Sequence, residues 1–495
     1  MEIENANKKI LKKGTFGVIC GFLLFFGIWS CSSDSVKEEV ISIAPDPEEE
    51  PIPDSIVIKT SPIPASSQRN GDAIVGKEYL FSGNYMSSGI PYAAYILAKG
   101  ENTTNELNRT GDNAVLPYDY TAITADNGVR VVAPNCLSCH SSKINNEYVI
   151  GLGSHDSDFT INRAIEVQTL NFAIPLYYGE NSPEWDAYDQ FRKSITAIGP
   201  KTITKSRGVN TANKIAEVLV SHRDKNTLEW REEPYVVLPE KLIPTDVPAW
   251  WLLKKKNAIF YNAMGRLDFC KSFIGASMLT LVDVTKAEEI DDKMTDVLAY
   301  IETLEAPEYP YSVNSSLANE GKTLFNNTCA TCHGTYGEDV SYPNLLVALE
   351  SVETDPELSN YYSVTTETSN YFFDWFNTGW FGSDTAPLSL NPEGGYIAPP
   401  LDGIWATAPY LHNASVPTLA DLLDSTNRPE FWSRTFDDSD YNVEKVGWNY
   451  TAETTQKGKN TYNTNHLGYG NQGHRFADAF TEEERRAVLE YLKTL

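Results

Sequence analysis

The chain spells Cys-x-x-Cys-His twice, as NCLSCHS at 135–141 and TCATCHG at 328–334. Two thiols three residues apart share one short helical turn, and the next residue projects its imidazole from the same turn. This is the attachment pattern of c-type haem. The thiols form thioethers with the two vinyl groups, and the imidazole becomes the proximal iron ligand. Zinc normally takes four ligands from paired knuckles; each motif offers three, with no further Cys-x-x-Cys beside it. A thioredoxin-like redox pair would sit in a βαβ pattern, which the surrounding sequence lacks. Cys136, Cys139 and His140, and Cys329, Cys332 and His333, are therefore expected to hold two covalently bound haem c groups.

Cysteine usage fits an exported chain. Of seven Cys, four lie in the motifs, Cys20 lies in an N-terminal apolar stretch, Cys31 follows it, and only Cys270 stands apart. That is not the dispersed set of a disulfide scaffold. The basic Lys8, Lys9, Lys12 and Lys13 precede an apolar run from Phe16 to Trp29. A bilayer-spanning helix needs roughly 20 residues, so the run is too short to span and reads as a secretory signal. Residues 1–30 are read as a signal peptide of lipoprotein type. Ser30-Cys31 resembles a lipobox in which Cys31 carries lipid, although Trp29 is unusual there; cleavage by ordinary signal peptidase is the rival, and Cys20 is a less fitting lipid site. Residues 31–69, rich in Pro, Glu, Asp and Ser, show no apolar period and are expected to be a disordered tether. The expected location is the cell envelope of a Gram-negative bacterium, lipid-anchored, in the periplasm or on the outer-membrane surface. A net charge of −27 repels phosphate backbones and excludes nucleic acid as a natural partner.

Two short segments echo one another: VLAYIETL at 297–304 and VLEYLKTL at 488–495. Each is expected to be the closing helix of one haem unit, since cytochrome c folds cross a first and a last helix over the haem. The last helix should begin with a capping box at Thr481 and Glu484 and bury Val488, Leu489, Leu492 and Leu495, with Tyr491 at the edge. Leu324 and Phe325 mark the helix ahead of the second motif. The linker EAPEYPYS then separates a first domain at 70–306 from a second at 307–495. The expected fold is mainly α, with two cytochrome c-type domains, long loops and little β.

The far axial side of each iron is partly constrained by counting. Apart from Met1, the Met residues are Met86, Met264, Met278 and Met294, and none follows Cys332. The second haem therefore takes no thioether from its own domain. His412, His466 and His474 are the remaining imidazoles there. His474 is preferred, because Gly470 and Gly473 let its loop bend over a haem face; His466 is the fallback. For the first iron, Met264, His155 and His222 are candidate sixth ligands.

The run LDGIWATAPYLHNASVPTL at 401–419 resembles the bacterial di-haem cytochrome c peroxidase superfamily. With RPEFW, GNQGHRF and the closing EEERRAVLEYLKTL, it is most similar to the rubber oxygenase branch. The likeness covers most of the chain from about residue 75, although this chain is shorter than typical rubber oxygenases. The resemblance implies a di-haem peroxidase-like body whose second haem is held by His333 and His474. It makes the His140 haem the reactive one and puts His412, from the APYxH stretch, between the haems; hydrogen bonding to a propionate or loop backbone is the alternative for His412. It also sets Trp251 or Trp250, in DVPAWWLLKKKNAIFYNAMGRLDF, beside the haems as an electron relay, against plain core packing. Lys254, Lys255 and Lys256 face either propionates or solvent. A calcium ion between domains accompanies the superfamily, though no loop here demands one.

Two functions follow. The first is an exported oxidoreductase that activates peroxide or dioxygen at the His140 haem, with the bis-His haem transferring electrons, on a small-molecule substrate or with a redox partner protein. The second is a non-catalytic electron-transfer cytochrome with both haems six-coordinate. Its acidic surface would steer a basic partner.

Overall fold

The computed structural model describes residues 58–383 and 385–495, so the signal and lipid-anchor readings lie outside the described residues. Helix outweighs strand, and strands among the described residues are short, gathering into sheets of two or three. No helix among them is long and apolar enough to cross a membrane.

Two helix crossings organise the chain, and they are built alike. Ala73–Ser82 packs on Val284–Glu302, and Ser315–Thr328 packs on Glu482–Leu492. Each crossing turns on one glycine of the first helix, which lets two backbones approach. A Cβ at Gly76 would lie 1.8 Å from the Asp296 carbonyl oxygen, and one at Gly321 would lie 1.9 Å from that of Ala487. Asp296 and Ala487 each immediately precede one copy of the echoed segment. The repeat noticed at the closing helices therefore extends to their partners, in GKEYLF and GKTLF. Neither glycine can accept a side chain without moving a carbonyl. Overpacking of this kind costs typically 1–3 kcal/mol, and a rigid backbone obstacle belongs at the upper end. Gly321→Val is expected to lower stability by about 3 kcal/mol, read as a fall in the thermal midpoint; an unchanged midpoint would show that the crossing is loose.

The closing helix forms as expected. Thr481 and Glu484 make the capping box, and Val488, Leu489 and Leu492 are buried; Tyr491, expected at the edge, is buried too, while Leu495, expected on the buried face, lies past the helix end and is half-buried. Phe325 is buried against Tyr491, ring centroids 5.2 Å apart.

The expected boundary near 306 separates the two motifs but not the packing, because the described residues belong to one compact unit. Strand Gly265–Leu267 pairs with Leu388–Leu390. The buried Lys214–Glu217 ion pair, at 2.9 Å, is joined by the hydroxyls of Tyr361 and Tyr362, which donate to Glu217 at 2.9 and 3.1 Å. Residues 58–69, read as the end of the tether, are instead tied down. Thr60–Pro62 adds a strand to Leu345–Val347, and Arg69 bridges Asp291 and Asp268. Their Pro- and Ser-rich composition carries no apolar alternation. What orders them is backbone pairing with a distant strand, which no local pattern announces.

Candidate functional site

Each Cys-x-x-Cys-His forms the expected short turn: Leu137–His140 in the first motif and Ala330–His333 in the second. The four thiols form no disulfide. Among the described residues no group of three or more His, Cys, Asp or Glu is arranged to hold a metal ion, which tells against the zinc alternative. Each turn instead opens on an apolar cavity: about 470 Å³ above Cys136, Cys139 and His140, and about 210 Å³ above Cys329, Cys332 and His333.

The second cavity is closed by His474. The His333 and His474 ring centroids are 6.1 Å apart. A metal ion about 2.0–2.1 Å from one nitrogen of each of two imidazoles separates the centroids by about 6 Å, so the spacing suits an iron between them. His333 Nδ1 donates to the Pro399 carbonyl at 2.8 Å. A carbonyl only accepts, so this bond puts the proton on Nδ1, frees Nε2 for the iron and makes the ring a stronger donor. His474 Nδ1 is buried without a hydrogen-bond partner, and burial, with His333 beside it, holds its pKa down at about 3. It is thus a neutral imidazole, with the lone pair of its unprotonated nitrogen free to ligate.

His474 is held in place by its backbone. Gly473 and His474 both take left-handed φ values, +76° and +48°. A Cβ on Gly473 would lie 2.2 Å from the Glu353 carbonyl carbon, so only glycine fits that turn. The His474 N–H donates to the Val352 carbonyl at 2.7 Å. Arg428 then clamps the loop. Its guanidinium donates to the carbonyls of Asn471, Gly473 and His474, and also to those of Asp421 and Leu422. Sequence reasoning quoted Arg428 only as part of RPEFW; its planar fork of five donors was the available signal. Lysine cannot reproduce that fork. Arg428→Lys is expected to loosen the sixth ligand of the second site, seen as a rising high-spin fraction on warming in optical spectra. A spectrum identical to wild type would remove Arg428 from that role.

The first site differs. His140 is half-buried, and its buried Nδ1 has no hydrogen-bond partner among the described residues. The ring stacks on the Trp250 indole instead, centroids 4.4 Å apart and 15° between planes. Among the described residues no second histidine lines this cavity, whereas Met86, Met264, Met278 and Met294 all do. Phe372, Phe376, Leu388 and Leu390, from beyond the second motif, complete its wall.

The remaining expected residues fall as follows. Trp251 lines neither cavity: it is buried and donates through Nε1 to the Asp402 carbonyl at 2.8 Å, so the indole against the first site is that of Trp250. His412 lines the second cavity and not the first. It stacks on Tyr396 at 4.1 Å, and its carbonyl accepts the Asp246 N–H at 2.7 Å, which holds it on the His333 side. Tyr261 donates to Asp246 at 2.6 Å in the same wall, and burial lifts that carboxyl to about 7. His466 meets Gln456 and Asn463 outside both cavities, while His155 binds the Lys143 carbonyl and His222 that of Arg231; none of the three can ligate. Cys270 is buried away from both. Lys254 pairs with Glu305 and Lys255 with Asp402, whereas Lys256 turns inward to line both cavities.

Known proteins agree with this chemistry. Residues 318–393 match the family described as cytochrome c, and residues 395–433 match the one described as RoxA-like, cytochrome c-like. An uncharacterized protein y4iM of Sinorhizobium fredii (strain NBRC 101917 / NGR234) is 25% identical over 250 residues, covering 46% of this chain and 54% of that protein. A second from the same strain, y4iJ, is 29% identical over 241 residues, covering 37% of this chain and 39% of its own length. This chain thus spans about half or less of these curated relatives. Residues 318–393, around Cys329–His333, are thus a cytochrome c segment and residues 395–433, around His412, a RoxA-like one, and both support binding of haem c.

Proposed function

We propose that the chain is an exported di-haem oxidoreductase in which the His140 haem meets peroxide or dioxygen and the His333–His474 haem passes electrons. One observation carries the reading: a second imidazole faces His333 at 6.1 Å, whereas none lines the larger cavity at His140. Bound haem supplies the redox chemistry, and the protein sets ligation, access and dielectric.

The two imidazoles are tuned apart. The Pro399 carbonyl makes His333 electron-rich, and pairing with another imidazole rather than a thioether lowers the potential of that site. His140, with no acceptor at Nδ1 and an indole across its face, donates less. Electrons then run downhill from the second site to the first. Trp250, against His140, and the stretch Pro248–Ala249, which lines both cavities, stand between them. Of the two indoles expected as a relay, Trp251 and Trp250, this takes Trp250, and it gives His412 a packing role beside the electron-transfer site. The first cavity is walled mainly by apolar side chains, which keep bulk water away from the reacting centre. The reading extends to the di-haem peroxidase superfamily, a lipid anchor at Cys31, a Gram-negative envelope, and a redox partner protein or small-molecule substrate.

The four methionines favour a second reading, an electron-transfer cytochrome, since any one reaching the first iron would close it. Exogenous ligands decide between them. The ferrous holoprotein is expected to bind one CO per chain at the His140 site, with the second haem unaffected. Two low-spin haems that ignore both CO and cyanide would replace the enzyme by the carrier.

A further inference from the structure

The three consecutive lysines 254–256 divide in a way the sequence does not announce. Lys254 Nζ lies 2.7 Å from a Glu305 carboxylate oxygen, and Lys255 Nζ lies 2.7 Å from Asp402. Lys256 has no side-chain hydrogen-bond or ion-pair partner among the described residues, and it is half-buried. It lines both cavities. No other Lys or Arg lines the His333–His474 cavity, and only Arg163 joins it in the His140 cavity.

An ammonium removed from water without a counter-charge is costly, and such a group shifts its pKa or finds an anion. Burial alone brings this one down to about 8, so it stays largely charged at neutral pH. The nearest acidic group in the second cavity does not serve: Asp246 is tied to Tyr261 and is itself pushed up to about 7. What would enter each cavity and bring carboxylates is haem c, with two propionates per ring. The position of Lys256, in the strip that borders both cavities, is open to a propionate from either side.

We propose that Lys256 is the shared counter-ion of the two haem sites, its ammonium pairing with a propionate and placing one positive charge that both irons feel. The inference rests on the two-haem reading above. Reduction adds negative charge to each iron centre, and a nearby cation favours it. Lys256 therefore raises both midpoint potentials together, and the ionisation state of one site reaches the other through it. It is a positioning residue: it touches the carboxylate edge of the cofactor, not the reacting atoms.

The test is a redox titration of the holoprotein followed optically, comparing wild type with Lys256→Gln and Lys256→Arg. The expected result is that both midpoints fall in the Gln variant, while Arg, which keeps the charge, leaves both close to wild type. Movement of neither midpoint, or of only one, would overturn the shared role. Lys256→Met keeps the length of the stem and removes the desolvation cost, so it replaces the Gln variant should that fail to fold. Haem staining of the same samples on a denaturing gel separates the outcomes. Two covalent haems with unmoved potentials sink the counter-ion; wild-type chains with fewer than two sink the two-haem reading instead.

Discussion

His474→Ala is expected to convert the haem at Cys329–His333 from a low-spin, six-coordinate centre to a high-spin one. The conversion should be close to complete, because among the described residues His474 is the one imidazole whose ring lies against that of His333. His466 is engaged outside the cavity, and no methionine lines it. His412 lines the same cavity but is stacked on Tyr396 and anchored through its carbonyl to Asp246. The optical charge-transfer band and the high-spin EPR signal should appear in the alanine variant, together with CO binding at a second site. His412→Ala and His466→Ala should leave the low-spin signal of that haem intact. A His474→Ala protein with an unaltered low-spin spectrum would place the sixth ligand elsewhere, and with it the tuning argument that sends electrons toward His140.

Removing both thiols of one motif should have an equally large effect. Cys329→Ser/Cys332→Ser is expected to halve the covalently bound haem per chain, and Cys136→Ser/Cys139→Ser to remove the other half. The denatured polypeptide, stained for haem on a gel and weighed by mass spectrometry, gives the count directly. A ligand bound to the native state stabilises it in proportion to its affinity, so each variant should also unfold earlier. The loss should be larger for Cys136→Ser/Cys139→Ser, because that cavity, at about 470 Å³, leaves more apolar wall unsupported. Material from a maturation-competent host that keeps two haems after either double substitution would refute the assignment of that motif.

The two predictions lie at opposite ends of what could be read in advance. The expected thioether sites rest on local chemistry: two thiols and an imidazole within five residues would meet one porphyrin edge whatever surrounds them. The capping box at Thr481 and the buried face of the last helix were legible for the same reason, as both depend on neighbours three or four residues apart. Even the sixth ligand of the second haem was narrowed by subtraction, since no methionine follows Cys332.

Everything that depends on distant segments stayed hidden. His474 was preferred from its flanking glycines, but what holds it was not legible: a turn that only Gly473 can make over Glu353, and five carbonyls gathered by Arg428. The two crossings at Gly76 and Gly321 put a backbone carbonyl where a side chain would be, a fact about packing that no pattern within one helix records. Trp250 and Trp251 are adjacent and chemically alike, yet one stacks on His140 and the other is buried at Asp402, because successive side chains of a tight turn point in different directions. Lys254, Lys255 and Lys256 part for the same reason: two meet carboxylates from remote segments and the third faces the cavities. Sequence by itself picked out the thiols and imidazoles expected to meet the cofactor, since that chemistry needs only neighbours along the chain. Tertiary structure decided how His474 is held at the second site, which indole meets the first and which ammonium lies between, since each depends on segments remote in the chain: Val352 and Arg428 for His474, His140 for Trp250, Glu305 and Asp402 for the flanking lysines.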